Sequence, residues 1–71
     1  MGPIRHPIEG SSAFVVEWPV NHGRVSFQTW RPIEGKLRHV GSTVVVKEED
    51  RDEGLAQAKS QNMSRPIIPS E

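Results

Sequence analysis

The chain has 71 residues, with nine Lys and Arg against nine Asp and Glu, no Cys, and 34% hydrophobic residues. A chain of this length buries only about 60% of the surface that it exposes when unfolded, so one core is the most that it can build. The absence of Cys excludes disulfides, thiolate nucleophiles and cysteine-ligated metal centres. Composition therefore predicts one small domain and excludes a large multi-domain enzyme.

The N-terminal segment, residues 1–12, is rich in Pro, Gly and Ser, which favours an irregular, flexible arm. It lacks the apolar stretch of a signal peptide. The longest apolar runs of the chain, at residues 13–16 and 44–46, are far shorter than the roughly 20 residues that a membrane-spanning helix needs. We therefore expect no membrane association and a cytoplasmic location.

Two runs with strand-like alternation follow this arm. In residues 13–18, β-branched and aromatic residues alternate between two faces, and one face carries Phe14, Val16 and Trp18. Pro19 is predicted to end this strand. Turn-forming residues then precede a second alternating run at residues 24–31. The two runs predict a β-hairpin with a loop of about four or five residues.

A second turn and a third strand come next in the chain. Residues 32–35, Pro-Ile-Glu-Gly, have the composition of a tight turn, and residues 36–40 are predicted to form the third strand. Gly41 and Ser42 can introduce a bulge, after which residues 44–46 continue with three valines. We favour one long bent strand over two short strands.

The charge pattern changes after the third strand and indicates a helix. Acidic residues occupy five of the six positions 48–53, which suits the positive N-terminal end of a helix, and a lysine lies near the other end. Leu55 and Met63 are predicted to anchor a narrow apolar stripe. Gly54 weakens the first turn by roughly 1 kcal/mol relative to Ala, so the helix is expected to begin only at residue 52 or 53.

Together these elements predict an α+β fold, namely a three-stranded antiparallel sheet with one C-terminal helix packed on one face and disordered N- and C-terminal tails. The domain occupies residues 13–63, and residues 64–71, which include two prolines, form the C-terminal tail. A core of this size supplies only about 3–5 kcal/mol of net stability. Association into a homodimer is therefore expected as a way to bury more surface.

Charge is unevenly distributed along the neutral chain. Residues 22–40 contain four basic residues and one acidic residue, a net charge of +3, whereas residues 41–54 contain two basic and five acidic residues, a net charge of −3. If the alternate residues of the second strand face the core, a polar, basic face remains outside, and basic residues of the third strand can join it. The candidate binding residues on this face are Arg24, Gln28, Trp30, Lys36 and Arg38.

These side chains suit binding better than catalysis. Cations bind phosphates, an amide can read base edges, and an indole can stack on a base or pack in a protein interface. A pI near 6.8 is lower than that of a dedicated nucleic-acid binder. We therefore expect a small non-catalytic accessory or regulatory module that binds a protein partner or a second copy of itself. The alternative is a DNA- or RNA-binding regulator that uses the same face.

Three strands followed by one helix is an order shared with known DNA-binding domains. It resembles the topology of the sheet-reading domains of a group of plant transcription factors and of the arm-binding domains of phage integrases. In this chain the strand at Gly35–Gly41 and the acidic start of the helix carry the resemblance. The likeness concerns topology alone, and it implies DNA binding only as the alternative function.

No catalytic, metal or cofactor site is expected. His6, His22 and His39 fall in the arm, a turn and a strand, a distribution that does not form a metal site. No serine lies in a nucleophile elbow, and no Gly-rich phosphate loop occurs. The acidic run at 48–53 is expected to stabilise the helix start, with docking to a basic protein surface as the alternative. We expect no enzymatic activity, no cofactor and no small-molecule substrate.

Overall fold

The computed structural model describes residues 2–63, which form an antiparallel sheet with a helix on one face. In chain order and in the order of the sheet, the strands are β1 (Ile4–Pro7), β2 (Phe14–Val20), β3 (Arg24–Ile33) and β4 (Lys36–Lys47). A 3₁₀ turn at Glu48–Asp50 leads into α1 (Arg51–Lys59). The α+β class with one helix after an antiparallel sheet is confirmed. The predicted tail at 64–71 lies outside the described residues.

The predicted number of strands is wrong, because the sheet has four strands rather than three. The additional strand, β1, lies within the segment predicted to be an irregular arm, and it pairs with β2 from Ile4 opposite Glu17 to Pro7 opposite Phe14. Between the two strands, Gly10 has φ 74°, which helps the chain to reverse. The sequence of β1, Ile-Arg-His-Pro, has little intrinsic preference for a strand. Pairing with β2 holds it in the extended conformation.

Sequence analysis also predicts that Pro19 ends β2, and this prediction is wrong. Pro19 pairs with Val25 inside the β2–β3 hairpin, so the loop has three residues, 21–23, rather than the predicted four or five. The pairing of β1 with β2 stops at Glu17, so the last residues of β2 lie at an edge of the sheet. A proline is tolerated on an edge strand because no neighbouring strand needs its missing N–H group.

The β3–β4 connection is shorter than the predicted four-residue turn. Only Glu34 and Gly35 separate the strands, and their φ angles are 53° and 80°. Positive φ at both central residues is characteristic of two-residue hairpin turns that match the right-handed twist of the strands. The turn makes Ile33 and Lys36 direct cross-strand partners, and this register decides which face each residue of β4 occupies.

One long bent strand forms β4, as expected. Its pairing with β3 shifts between Phe27 and Thr29, and Gly41 adopts φ 72° at this irregularity. Gln61, which follows α1, fills the gap. Its side-chain amide accepts a hydrogen bond from the Ser42 N–H and donates one to the Ser42 carbonyl. The side chain thus stands in for a strand neighbour at the bulge.

The core lies between α1 and one face of the sheet, and the helix approaches that face closely. A Cβ atom on Gly54 would lie 2.7 Å from Val46 Cγ2 and 2.8 Å from Phe27 Cε2. The hydroxyl of Thr29 donates a buried hydrogen bond of 2.7 Å to the Ala58 carbonyl. The buried cluster consists of Val15, Val25, Phe27, Val44 and Ala58.

The helix is anchored differently from the prediction. It begins at Arg51, before the expected start, and its buried residues are Gly54 and Ala58. Met63, the predicted second anchor, lies after the helix and is 84% exposed, so that prediction is wrong. Leu55 packs at the margin of the core. Gly54 and Ala58 face the sheet because the helix lies too close to it for larger side chains. The spacing of apolar residues in the sequence does not reveal how close a helix lies to its sheet.

Candidate functional site

The helix covers one face of the sheet and leaves the other face uncovered. Cross-strand partners of an antiparallel sheet share a face, so the register assigns each residue to a side. We call the uncovered side the open face. It consists of Arg5 and Pro7 on β1, the even-numbered residues 14–20 on β2, the even-numbered residues 24–32 on β3, and Leu37, His39, Val45 and Lys47 on β4.

Large apolar side chains occupy much of the open face. Trp18 is 43% exposed, Leu37 52% and Val45 53%. Trp30 is half-buried and stacks on His39, with ring centroids 5.4 Å apart and an interplanar angle of 28°. Both tryptophans therefore lie outside the core, although their side chains are the largest in the chain. Contiguous exposed apolar surface of this kind marks interaction sites in small domains.

A groove of about 440 Å³ runs along the open face where β1, β2 and β3 meet. Its walls include Phe14, Trp18 and Trp30, together with the amide of Gln28 and the guanidinium of Arg5. The Arg5 guanidinium carbon lies 4.2 Å from the centroid of the Phe14 ring, a cation–π contact that keeps the charge beside the groove. The groove thus combines flat aromatic surfaces with one amide and one cation.

Among the described residues, the strand positions of the open face carry cations and no carboxylate, and Asp50 of the 3₁₀ turn borders the cleft beside Arg24 and Lys47. Arg5, Arg24 and Lys47 lie on it, and Arg24 and Lys47 are direct cross-strand partners. His39 adds no charge at neutral pH, because burial lowers its pKa below the usual 6.5. Acidic side chains are instead concentrated in the 3₁₀ turn and the first turn of α1. The strand residues of the open face therefore differ in charge from the acidic segment that follows β4.

His39 also has an unpaired polar atom. Its Nε2 is buried and finds no hydrogen-bond partner among the described residues. Stacking on Trp30 covers one side of the ring. A neutral imidazole carries one donor and one acceptor nitrogen, so this nitrogen is a polar position next to the aromatic part of the open face.

Three of the five candidate binding residues lie on the open face, namely Arg24, Gln28 and Trp30. Gln28 and Trp30 line the groove. Arg24 lies at the far end of β3, paired with Lys47. Sequence analysis did not select Arg5 or Lys47, because β1 was not predicted and the register of β4 was not known. The alternation of residues along β3 was the pattern that identified Arg24, Gln28 and Trp30.

Lys36 and Arg38 lie on the helix side of the sheet, contrary to the expectation that all five share one face. Lys36 is opposite Ile33 and Arg38 is opposite Arg31. The Arg31 guanidinium donates a hydrogen bond to the backbone carbonyl of Asn62, just after α1. The two-residue turn sets this register, and it separates the five residues into two groups on opposite faces.

On the helix side, a buried carboxylate joins three elements of the fold. Glu17 is 6% exposed, and its oxygens accept hydrogen bonds of 2.8 and 3.1 Å from the Arg51 guanidinium. His6 Nε2 lies 2.8 Å from Glu17 Oε1. The Arg51 hydrogen bonds lower the pKa of Glu17, burial opposes them, and His6 adds to the lowering. The cluster ties β1 and α1 to β2, and no sequence motif links its three members.

Comparison with known proteins adds no candidate function. Within residues 2–63, no group of three or more His, Asp and Glu side chains is placed to hold a metal ion. In that same part of the chain, no helix is long and apolar enough to cross a bilayer. No known protein family matches this chain, and no curated protein or solved structure is significantly similar to it.

Proposed function

We propose that this chain is a small non-catalytic accessory or regulatory binding module and that the open face is its contact surface. One observation carries the proposal: both tryptophans lie on a sheet face that the helix leaves uncovered, beside a groove of about 440 Å³. Apolar surface gains about 25 cal/mol per Å² when it is removed from water. A complex in which a partner covers this face is therefore stabilised by the removal of apolar surface from water.

A protein partner, or a second copy of the chain, fits the apolar part of the open face. Trp18 on β2 and both Leu37 and Val45 on β4 expose apolar side chains on this face. Tryptophan is enriched among the residues that dominate binding energy at protein interfaces. The small core also favours association, since additional burial stabilises a domain of this size.

Nucleic acid is the second candidate, and the charge of the open face favours it. The face holds three cations and no carboxylate. Lys36 and Arg38 do not contribute there, but Arg5 and Lys47 take their place. Neutralising phosphates with Lys and Arg supplies most of the affinity of proteins for nucleic acids.

The non-catalytic part of the proposal rests on how the polar groups are used. The buried carboxylate of Glu17 is occupied by Arg51 and His6, so it is not poised as a general base. The groove itself contains an amide and a guanidinium, which bind and orient but do not exchange protons near neutral pH. A cytoplasmic location remains part of the proposal.

Sedimentation velocity of the purified chain tests the contact surface, alone and with mixed-sequence nucleic acid at low salt. The wild type is compared with Trp30→Ala on the open face and with Arg38→Glu on the helix side. Association that is lost in Trp30→Ala and kept in Arg38→Glu supports the proposal. Association that is lost only in Arg38→Glu places the contact surface on the helix side and contradicts it.

A further inference from the structure

The chemistry of the groove indicates what kind of molecule it takes. Its volume of about 440 Å³ lies within the range of small-molecule sites. Trp18 on β2 and Trp30 on β3 present flat aromatic surface to the groove. Gln28 lies beside them on β3, opposite Val16, and its amide has a donor group and an acceptor group. A planar ring with hydrogen-bonding edges matches this combination. Nucleobases have that chemistry, and stacking a base on an aromatic side chain is worth about 1–3 kcal/mol.

The arrangement of charge indicates that the ligand is anionic. Arg5 borders the groove, while Arg24 and Lys47 face each other across β3 and β4, and Asp50 lines the cleft beside that pair. Like charges that are directly opposite in a sheet destabilise it, so an anion between them relieves repulsion. Gln28 and Arg24 are four residues apart on β3, a distance of about 13 Å. The cations therefore lie in two places on the open face: Arg5 on β1 beside the groove, and the Arg24–Lys47 pair at the far end of β3 and β4.

A second copy of the chain fits this charge pattern less well. The strands of a second copy present the same three cations and no carboxylate on their open face, so packing two open faces together would bring like charges against each other. Burying unpaired charge is costly. Asp50 borders the cleft beside Arg24 and Lys47. The other acidic residues around the start of α1 could meet the cations of a second copy only in a head-to-tail contact, which does not close into a two-fold dimer.

We propose that the open face binds single-stranded nucleic acid, with bases stacked on Trp18 and Trp30 and phosphates beside Arg5 and the Arg24–Lys47 pair. This inference rests on the proposed function, because it requires the open face to be the contact surface. The strand must be unpaired, since the flat faces of bases are accessible to aromatic side chains only outside a duplex. Gln28 contacts the edge of a base in the groove.

Tryptophan fluorescence measures this binding directly, because the chain has two Trp and both lie on the open face. The probes are oligothymidylate and oligouridylate of about eight nucleotides, within the range of single-strand site sizes, and a duplex of the same length. We expect quenching by the single strands and weaker binding of the duplex. With three phosphate contacts, affinity falls about twentyfold between about 50 and about 200 mM salt.

Matched variants separate stacking and local charge from general attraction. Trp30→Ala, with Trp18 as the remaining reporter, is expected to weaken binding at least about fivefold, the effect of losing one stacked base. Arg24→Glu is expected to weaken it several-fold. Arg38→Glu makes the same change of charge on the helix side and is expected to leave the affinity within about twofold. Circular dichroism of each variant confirms that it is folded.

Other outcomes overturn the inference in distinguishable ways. Equal losses in Arg24→Glu and Arg38→Glu would indicate unspecific charge attraction, and duplex binding as tight as single-strand binding would exclude stacking. A dimer that dissociates in Trp30→Ala while no strand quenches fluorescence would identify a second copy as the occupant, which retains the proposed function. Absence of strand binding in a monomeric chain overturns the inference, and under the proposed function the occupant of the open face is then a different protein.

Discussion

The two faces of the sheet differ in which apolar residues they hold. The helix side buries Phe27 and Val15 completely and Val25 and Val44 almost completely, beneath a helix that contributes glycine and alanine to the contact. The open face holds both tryptophans, and Trp18 is 43% exposed. The largest apolar side chains of this protein therefore do not stabilise its own core. The comparison indicates that one face maintains the fold and that the other is available for a partner.

The largest expected difference between the faces comes from truncating one aromatic residue on each. Phe27→Ala removes a fully buried ring and is expected to cost about 3–5 kcal/mol, enough to unfold much of the protein. Trp18→Ala is expected to cost about 1–2 kcal/mol, because its side chain is 43% exposed and loses less buried apolar surface. Urea denaturation at one pH measures both. Similar losses would show that the open face contributes to the fold as much as the helix side does.

Gly54→Ala tests the close approach of the helix to the sheet. Helix propensity alone predicts a gain of about 1 kcal/mol, but the added methyl group would overlap Phe27 and Val46. We expect a net loss of about 1–3 kcal/mol, the usual effect of overpacking a core. Thermal unfolding measures it. In the control Ala56→Gly, on the exposed side of α1, propensity alone is expected to act, with a loss of about 1 kcal/mol. Stabilisation by Gly54→Ala would mean that the helix lies farther from the sheet.

Glu17→Gln removes the charge of the carboxylate that ties β1 and α1 to β2. Its expected effect on stability is the smallest of the three. At pH 7 we expect a loss of about 1–2 kcal/mol, since hydrogen bonds to a charged acceptor are lost. The pKa of Glu17 is lowered in the folded state. The stability from ionised Glu17 is therefore present above the unfolded value, near 4.5, and disappears as pH falls through the folded pKa.

The measurement is the difference in unfolding free energy between wild type and Glu17→Gln from pH 7 down to about pH 3. The difference should shrink as pH decreases. Glu53→Gln, at an exposed position in the first turn of α1, is the control and should show a much smaller difference throughout. A constant difference for Glu17→Gln would mean that the carboxylate charge does not contribute.

Local sequence patterns predicted the α+β class, the β2–β3 hairpin and the faces of β2 correctly. Alternation placed Phe14, Val16 and Trp18 together, and the register agrees. The helix after the last strand was predicted from the acidic residues at its start. Three of the candidate binding residues share the open face for the same reason, since they alternate along β3. Each of these features depends on residues that are close together in the chain.

Tertiary structure decided the features that depend on distant residues. The strand β1 exists because β2 offers it hydrogen bonds, although its own sequence favours no strand. Gly54 acts as a packing residue rather than a weak point in the helix, because Phe27 and Val46 lie against it.

The separation of Lys36 and Arg38 from Arg24, Gln28 and Trp30 depends on the register of β3 and β4. A shift of one residue in that register moves every side chain of a strand to the other face. Alternation within a strand determines which residues share a face, whereas only pairing with a neighbouring strand determines which residues of two strands lie on the same face.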